Sequence, residues 1–399
     1  MPCPEVFFSV GEPSGDLHAA RLIEHLTSGR RLAVRGFGGP WMQQAGCRLD
    51  YPLTDLAVVG VAEVLPKLRQ FFRIADQASE IFAQQRPAGV VLVDFPGFNW
   101  HIAKRAKAHG IPVFYYLPPQ LWAWASWRIT KVRRYVDHVL CALPIEHQWF
   151  ANHGISCEYV GHPFFDQVQQ QELDQPFVAR WSDDQGLTIA VLPGSRTREI
   201  RTIWPMQLAA IRELSVRHPH ARFLVACLTH AHRQRCESLL SPSDRRIPIH
   251  FFVQKTSEII EVADCALMKS GSVSLEMMAR GTPAVVVYHL SRSTYEIAKR
   301  FVHVDSMTLP NLLAGKKVMP EFLAVGKRTA TTIERTIAAM DRLMGDRDER
   351  IMARLELARL TRRFGKPGAS QRAAAAILAR LEGATDAGSA APQLRLQSW

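Results

Sequence analysis

The sequence lacks the marks of several protein classes. Its seven cysteines are odd in number and include no Cys-x-x-Cys pair, so neither a disulfide framework nor a zinc site is expected. The longest uncharged apolar runs, such as residues 89–93, have the length of a strand and are too short to cross a bilayer. The first residues have neither a basic start nor a long apolar core, which predicts no signal peptide. We therefore expect a cytoplasmic protein whose contact with a membrane is peripheral.

Acidic residues are in deficit, with 37 Asp and Glu against 49 Lys and Arg, which gives a formal net charge of +12. Such an excess favours an anionic partner, which could be nucleic acid, a phosphorylated metabolite or an acidic membrane surface. A basic surface that only keeps the protein soluble is the simpler alternative. The basic residues are spread through the chain, without the interleaved aromatics of a nucleic-acid-binding face, so a nucleic acid is not the expected partner.

The length of 399 residues exceeds what one hydrophobic core usually organises, which predicts two domains. Short runs rich in Val, Ile, Leu and Phe alternate with helical segments, as in an α/β fold with doubly wound parallel sheets. The predicted strands are 6–10, 33–37, 89–93, 112–117, 138–142, 157–160, 188–192, 222–227, 248–252, 264–268 and 283–288. The predicted helices are 16–28, 67–85, 100–109, 145–152, 202–217, 272–280 and 329–344.

A break in this alternation near 163–187 predicts a domain boundary, because Pro163, Pro176 and Gly186 interrupt the pattern there. We assign residues 1–166 and 167–346 to two Rossmann-like domains and expect the ligand site in the cleft between them. Residues 347–382 are helical and basic, and the Gly, Ala, Ser, Pro and Gln composition of 383–399 predicts a disordered tail.

The turn at Gly11–Asp16 follows the first predicted strand and opens a helix. A glycine turn in this place lets backbone N–H groups and the helix N-terminus approach a ligand. Alternatively, Ser14 or Asp16 is only a helix cap. His162, at the predicted boundary, could contact substrate or fill the joint between the domains.

Asp94 directly follows the predicted strand 89–93, so its carboxylate is expected at the carboxyl edge of the sheet. In that position it could take a proton from an attacking hydroxyl. The alternative is a carboxylate that only caps the next turn.

Two turns of the second domain have the character of phosphate sites. Gly194-Ser195 opens the backbone to phosphate oxygens, and Arg196 can neutralise a departing diphosphate, unless this is a surface turn with an incidental arginine. In Ser270-Gly271-Ser272, either serine could cap a helix whose N-terminus faces a phosphate. Glu276 would share a helix face with Ser272 and accept from ribose hydroxyls. The alternative for Glu276 is a capping box, which needs a hydroxyl at position 273, where the sequence has valine.

An amphipathic stretch at 58–73 places Leu65, Leu68, Phe71 and Phe72 close to one face, with basic residues around them. This pattern suits a segment that lies in a membrane surface or accepts acyl chains. Packing of an ordinary helix against the core is the alternative.

Taken in order, these segments closely resemble the lipid-A-disaccharide synthase family over roughly residues 5–380. Among the most specific strings are Pro-Gln-Leu-Trp-Ala-Trp at 119–124 and Leu-Pro-Asn-Leu-Leu-Ala-Gly at 309–315. The others are Gly-Glu-Pro-Ser-Gly-Asp at 11–16, Asp-Leu-Ala-Val-Val-Gly-Val-Ala-Glu-Val-Leu at 55–65, Asp-Phe-Pro-Gly-Phe-Asn at 94–99, Tyr-Val-Gly-His at 159–162, Leu-Pro-Gly-Ser-Arg at 192–196 and Ser-Gly-Ser-Val-Ser-Leu-Glu at 270–276.

The resemblance implies a GT-B glycosyltransferase of lipid A and lipopolysaccharide synthesis whose final helices, 347–382, cross back to the first domain. The family joins UDP-2,3-diacylglucosamine to 2,3-diacylglucosamine 1-phosphate with inversion, releases UDP, and needs neither a metal nor another cofactor. Peripheral association with the inner membrane follows from these substrates, whereas the oligomeric state is left open.

The resemblance also assigns roles to individual residues. Asp94 is the candidate base, with Glu12 as the second catalytic candidate. The nucleotide site is assigned to Gly194, Ser195, Arg196, Ser270, Gly271, Ser272, Glu276 and Asn311. The acceptor side is assigned to Glu12, Ser14, Gly15 and His162.

Three positions depart from the family pattern. Pro118 stands where a serine is common. Gly97 stands where an aspartate is common, which removes a second carboxylate near Asp94. Lys269 stands where a small residue is usual, beside the predicted phosphate turn. The rival enzymes are a GT-B transferase of peptidoglycan synthesis and a UDP-sugar epimerase, and the tryptophan segment 119–124 argues against both.

Overall fold

The computed structural model describes residues 3–57, 61–182, 186–302 and 304–389, with the backbone alone described at 57, 61–68 and 384–389. The chain forms two compact units, the first from Met1–Asp166 with Pro367–Trp399 and the second from Gln167–Lys366. The helix that follows residue 346 lies in the second unit, and the chain returns to the first unit at Pro367.

The first unit contains a seven-stranded parallel sheet in the order β3-β2-β1-β4-β5-β6-β7. Its strands are β1 Glu5–Val10, β2 Ala33–Phe37, β3 Arg48–Tyr51, β4 Gly89–Val93, β5 Val113–Tyr116, β6 His138–Cys141 and β7 Cys157–Tyr159.

The second unit contains a six-stranded parallel sheet in the order β10-β9-β8-β11-β12-β13. Its strands are β8 Thr188–Leu192, β9 Arg222–Cys227, β10 Ile249–Val253, β11 Cys265–Lys269, β12 Ala284–Leu290 and β13 Glu321–Val325.

Nineteen α-helices and two short 3₁₀ segments, Ser126–Arg128 and Pro242–Arg246, connect the strands over the residues that the structure describes. The helices are α1 Pro13–Thr27, α2 Pro40–Gln44, α3 Thr54–Ala57, α4 Val61–Gln85, α5 Pro96–Ala108, α6 Leu121–Trp124, α7 Ile129–Tyr135, α8 Pro144–Asn152, α9 Phe164–Gln170, α10 Gln175–Trp181, α11 Thr197–Arg217, α12 His230–Glu237, α13 Thr256–Val262, α14 Val273–Arg280, α15 Arg292–Phe301, α16 Leu309–Ala314, α17 Ala330–Gly345, α18 Arg347–Phe364 and α19 Ala369–Ser389.

Strands β1, β4 and β5, in the middle of the first sheet, are mostly apolar and buried because helices cover both faces of the sheet. Along β1, Val6 and Phe8 belong to one hydrophobic cluster, whereas Phe7 between them belongs to the other. The cluster on one face includes side chains of α4 and α5, and the cluster on the opposite face includes side chains of α1 and α19. The continuous apolar runs therefore follow from two-sided burial.

Two strands were not predicted from the sequence, and each is the edge strand of its sheet. The side chains of Arg48–Tyr51 are partly or fully exposed, and most of those of Glu321–Val325 are partly exposed. An edge strand needs less apolar surface than a central one, so its sequence carries a weaker signal.

Helix α19 is attached to the first unit through Asp166. One carboxylate oxygen of Asp166 accepts from the backbone N–H groups of Gly368 and Ala369 at 2.5 and 3.3 Å, and the other accepts from Ser370 at 3.1 Å. The helix continues to Ser389, over residues 383–389 that the composition had assigned to a disordered tail, because the alanine-rich sequence sustains it. The remainder of that predicted tail, 390–399, lies outside the described residues.

Replacement of Asp166 by Ala should loosen the start of α19, because three backbone N–H groups lose their shared acceptor. We expect a loss of about 1–2 kcal/mol in the stability of the first unit and faster hydrogen exchange at the first amides of α19, measured by mass spectrometry. Asp174→Ala removes the cap of α10 in the second unit and serves as the matched control. Unchanged exchange in Asp166→Ala would contradict the anchoring role.

Candidate functional site

The carboxyl ends of β8, β9 and β11 surround a cavity of about 180 Å³ in the second unit. Gly194 and Ser195, from the turn after β8, line it together with Ser270, Gly271 and Ser272, from the turn after β11. The other lining residues are Leu192, Glu199, Ala226, Leu228, Thr256, Lys269 and Val273. The two turns singled out from the sequence thus meet in one cavity, and that they bind a nucleotide stays a prediction.

Glu199 is a cavity residue that the sequence analysis missed. Its Oε2 accepts from the backbone N–H groups of Ser195 and Arg196 at 3.2 and 3.4 Å, and its Oε1 lies 2.9 Å from Lys269 Nζ. The sequence does contain a signal, since Glu199 is the third residue of α11, where a carboxylate commonly reaches back to the helix start. Gly194 has φ of +118°, and a Cβ there would lie 2.7 Å from Glu199 Oε2, so the turn requires glycine.

Arg196 lies at the protein surface. Its side chain is 74% exposed, and Nη1 is 3.7 Å from Glu199 Oε1. Because the guanidinium is so exposed, its ion pair with this carboxylate is weak, and the side chain can reorient towards an incoming anion.

The expectation that Ser270 or Ser272 caps the next helix is wrong. The Ser270 hydroxyl donates to the carbonyl of Met307 at 2.9 Å. Ser272 precedes α14 with a helical backbone and makes no capping hydrogen bond through its side chain, since capping requires an extended backbone at this position. The hydroxyl of Ser272 is therefore left at the exposed mouth of the cavity.

Glu276 and Asn311, which the sequence analysis assigned to the nucleotide site, are buried and form hydrogen bonds within the second unit. Glu276 Oε1 accepts from Arg280 Nε at 3.1 Å, and both side chains are less than a tenth exposed. The Asn311 amide bridges the following loop, because it accepts from Val318 and Met319 N–H and donates to the Met319 carbonyl. Neither residue is among those that line the cavity. Their contact with a nucleotide stays a prediction.

In the first unit, Asp94 and Phe95 both adopt left-handed backbone angles, with φ of +46° and +45°. This conformation is costly for residues with side chains. Asn99 Nδ2 and the Tyr115 hydroxyl donate to the Asp94 carbonyl at 2.8 and 2.9 Å and hold the turn in place. Burial raises the pKa of the Asp94 carboxyl, and a hydrogen bond from the Phe95 N–H partly opposes the shift. A raised pKa brings a carboxylate closer to the range of a useful general base.

Glu146 is a second buried acid that the sequence analysis overlooked. One of its oxygens accepts from the backbone N–H groups of Ala142 and Leu143 at 3.2 and 3.1 Å. Burial is the main cause that raises its pKa to about 7, and the charge of Asp94 adds to the shift. The charge of Asp94 therefore acts on a second buried carboxyl even though position 97 is glycine, and the sequence signal of Glu146 is the Pro144–Glu146 helix start.

The turn that opens α1 holds three of the four acceptor candidates. Glu12 is half-buried at the helix start, Ser14 is exposed, and Gly15 is buried. A Cβ at Gly15 would lie 3.2 Å from Val10 and 3.6 Å from Val93, so the glycine lets the helix pack closely on the strand ends. No side chain caps α1, so Ser14 does not serve as its cap.

Asp16 connects this turn to the glycine-rich segment after β2. Its carboxylate accepts from the N–H groups of Gly39, Trp41 and Met42 at 2.9–3.2 Å and so caps α2. A Cβ at Gly39 would lie 2.4 Å from Asp16 Oδ2. The glycines here allow a close approach of the chain to a carboxylate.

His162 is partly buried, with its ring in an edge contact with His18 and the centroids 6.2 Å apart. Its Nδ1 accepts from the Phe164 N–H at 3.2 Å. Burial lowers the pKa of His162 to about 4 and that of His18 to about 3, so both rings are neutral at physiological pH. The ring serves packing within the first unit, and contact with an acceptor stays a prediction.

The acyl-contact candidates on α4 differ in their surroundings. Phe71 packs against Phe98 with centroids 5.7 Å apart, in agreement with the core-packing alternative, whereas Phe72 is 47% exposed. The side chains of Leu65 and Leu68 lie outside the described residues. Over the described parts of the chain, none of the helices is both long and apolar enough to span a bilayer.

A sequence profile of the lipid-A-disaccharide synthetase family matches residues 6–376. The chain belongs to this family. The lipid-A-disaccharide synthase of Anaeromyxobacter dehalogenans is 36% identical over 375 residues, which cover 94% of this chain and 97% of that protein. The chain is therefore a glycosyltransferase of lipid A disaccharide synthesis, as the resemblance predicts.

Solved structures agree on the fold. A UDP-N-acetylglucosamine 2-epimerase from Neisseria meningitidis bound to UDP-GlcNAc matches with a TM-score of 0.65, 14% identity, and coverage of 94% of this chain and 98% of that one. A putative UDP-N-acetylglucosamine 2-epimerase from Listeria monocytogenes matches with a TM-score of 0.67, 14% identity, and coverage of 96% and 98%. At this identity the likeness shows fold alone, and it confirms the predicted GT-B class with two Rossmann-like parallel-sheet domains.

The raised pKa of Glu146 makes stability depend on pH with a defined sign. The folded protein favours the protonated acid, so this contribution is fully present below the usual pKa of 4.5 and is lost as the pH rises through about 7. Glu146→Gln stays neutral at every pH. The difference in the free energy of unfolding between this variant and the unmodified protein should therefore shift in favour of the variant by about 2–3 kcal/mol as the pH rises from about 4.5 to about 8.

Urea denaturation of both proteins at the two pH values measures this gain. Glu158→Gln, which removes a half-exposed carboxylate from the same unit, is the control and should show a much smaller difference. An equal stability difference at both pH values for Glu146→Gln would mean that the pKa of this carboxyl is the same in the folded and unfolded protein, which would contradict the raised pKa.

Proposed function

We propose that this protein transfers 2,3-diacylglucosamine from UDP to the 6-hydroxyl of 2,3-diacylglucosamine 1-phosphate. The products are the β-1,6-linked lipid A disaccharide 1-phosphate and UDP. Family membership supports the reaction. The observation within the structure that carries the donor half is the cavity formed by the 194–195 and 270–272 turns.

The donor half uses the second unit. The turns at the carboxyl ends of β8 and β11 offer backbone N–H groups to a diphosphate, as such turns do in other nucleotide-binding sheets. Arg196 is exposed and can move to the diphosphate as its charge grows on departure. The UDP-GlcNAc-bound Neisseria epimerase, which shares the fold, supports a nucleotide sugar as ligand.

The acceptor half uses the first unit. The carboxylate of Asp94 removes the proton of the 6-hydroxyl as that oxygen attacks the anomeric carbon and the bond from this carbon to the UDP oxygen breaks. A single displacement of this kind inverts the anomeric centre. The raised pKa of Asp94 favours its role as the proton acceptor. Glu12 is the other carboxylate that we assign to the acceptor turn.

We also propose that the reaction needs no divalent metal, since cationic side chains and helix starts stabilise the leaving diphosphate. The net charge of +12 and the exposed Phe72 favour a peripheral position on the anionic inner leaflet, where both lipid substrates reside.

The first test measures UDP release from UDP-2,3-diacylglucosamine by purified protein in detergent with a chelator. Release should require 2,3-diacylglucosamine 1-phosphate and should be accompanied by the disaccharide product. If UDP binds but the acceptor has no effect on its release, the acceptor assignment is wrong. If UDP does not bind, the donor assignment is wrong as well.

Replacement of Asp94 by Asn should preserve the fold and lower kcat by about 100-fold or more, because the proton acceptor is lost. Asp76→Asn is a suitable control, since Asp76 is an exposed carboxylate of the same unit paired with Arg105. Steady-state rates at saturating donor and acceptor compare the two variants. Near-normal turnover of Asp94→Asn would transfer the role of base to Glu12 or to water.

A further inference from the structure

The cavity of the second unit contains an ion pair between Lys269 and Glu199. Their side chains are only about one-sixth exposed, at 16% and 17%, with Lys269 Nζ 2.9 Å from Glu199 Oε1. The other oxygen of Glu199 accepts from the N–H groups of Ser195 and Arg196. The carboxylate therefore occupies the donors that a diphosphate would use.

Lys269 spans the distance between the two turns of the cavity. It ends β11, immediately before the 270–272 turn, and its ammonium group reaches Glu199 at the start of α11. Nζ also lies 3.9 Å from the position of a Cβ at Gly271 and 5.5 Å from the centroid of the Tyr288 ring. The ring face attracts the cation and keeps it at this place when its anionic partner changes.

We propose that the Glu199 carboxylate is an internal substitute for the donor diphosphate and that the diphosphate replaces it on binding. Lys269 then exchanges one anionic partner for another, and the N–H groups of Ser195 and Arg196 turn from the carboxylate to phosphate oxygens. This inference rests on the proposed function, since it names how that same site takes its nucleotide.

A carboxylate of the chain is needed in this site because an anion site without an anion is energetically costly. Without a ligand, the ammonium of Lys269, which is only 16% exposed, would lack an anionic partner, and this is costly for a charge largely removed from water. The N–H groups of Ser195 and Arg196 lie at the exposed side of the cavity and donate to the same carboxylate. Glu199 satisfies all three groups. A diphosphate carries more charge and more acceptor oxygens than one carboxylate, so it competes successfully for the same donors.

The exchange predicts opposite changes in UDP affinity for substitutions of Lys269 and of Glu199. Lys269→Met, which keeps most of the length of the side chain without its charge, should weaken UDP binding by about tenfold or more. Glu199→Gln should tighten UDP binding by about threefold or more, because the competing charge is removed while a hydrogen-bond acceptor remains. Binding of uridine, which has no phosphate, should change by less than about threefold in either variant.

Isothermal titration measures UDP binding, and displacement of UDP measures uridine binding. The matched control is the pair of Lys107 and Asp137 in the first unit, joined at 2.7 Å, where the carboxylate also accepts a backbone N–H, from Val113. Lys107→Met and Asp137→Asn should leave UDP affinity unchanged. Thermal melting of each variant verifies the fold before titration.

Each outcome is decisive. UDP binding that Lys269→Met leaves intact overturns the exchange and leaves the proposed function standing. Weakened UDP binding by Glu199→Gln in a folded protein also overturns it, since Glu199 would then support the nucleotide-binding turn. A failure of the unmodified protein to bind UDP overturns the proposed function together with this inference.

Discussion

The side-chain amide of Asn99 joins the carboxyl ends of two neighbouring strands in the first sheet. It donates to the carbonyls of Ser9 in β1, Val93 in β4 and Asp94, and it accepts from the Ser9 hydroxyl. Because the amide is completely buried, an unmade bond would cost about 1–3 kcal/mol. The same network offsets the left-handed backbone at Asp94, which costs roughly 1–2 kcal/mol. The position of the candidate base therefore depends on the contacts of a fully buried amide.

The second unit repeats this solution with a different residue. Gln207, buried within α11, donates to the carbonyls of Leu192 in β8 and Leu267 in β11 at 3.1 and 3.2 Å. Strands β8 and β11 occupy the same places in their sheet as β1 and β4 occupy in theirs. In both units an amide from a helix packed on the sheet joins two adjacent central strands. The turns that follow are then fixed relative to each other, which a site built from two turns requires.

The sequence predicts the central strands and the turns at their carboxyl ends because two-sided burial and glycine-rich turns leave local signals. The family resemblance assigns Gly194 and Ser270 to one site, and in the structure they line one cavity because parallel strands end at the same edge of the sheet. The sequence could not predict that Ser270 would donate to Met307 or that Asn311 would bridge its own loop, since these partners are set by tertiary packing. The family resemblance supplied the activity, which strand periodicity alone could not.

Carboxylates of the chain accept from the backbone N–H groups at several helix starts. Asp16 takes the N–H groups at the start of α2, Glu146 those before α8, and Glu199 those before α11. Any turn shaped to bind an anion presents converging N–H groups, and the folded chain must satisfy them when no ligand is present. A carboxylate of the chain stays bound to these N–H groups when it is buried, as Asp16 is. A carboxylate that lines a cavity beside a cation, as Glu199 does, can be replaced by an anionic ligand. Burial and access, which the spacing of residues does not encode, therefore decide which of these turns can serve a substrate.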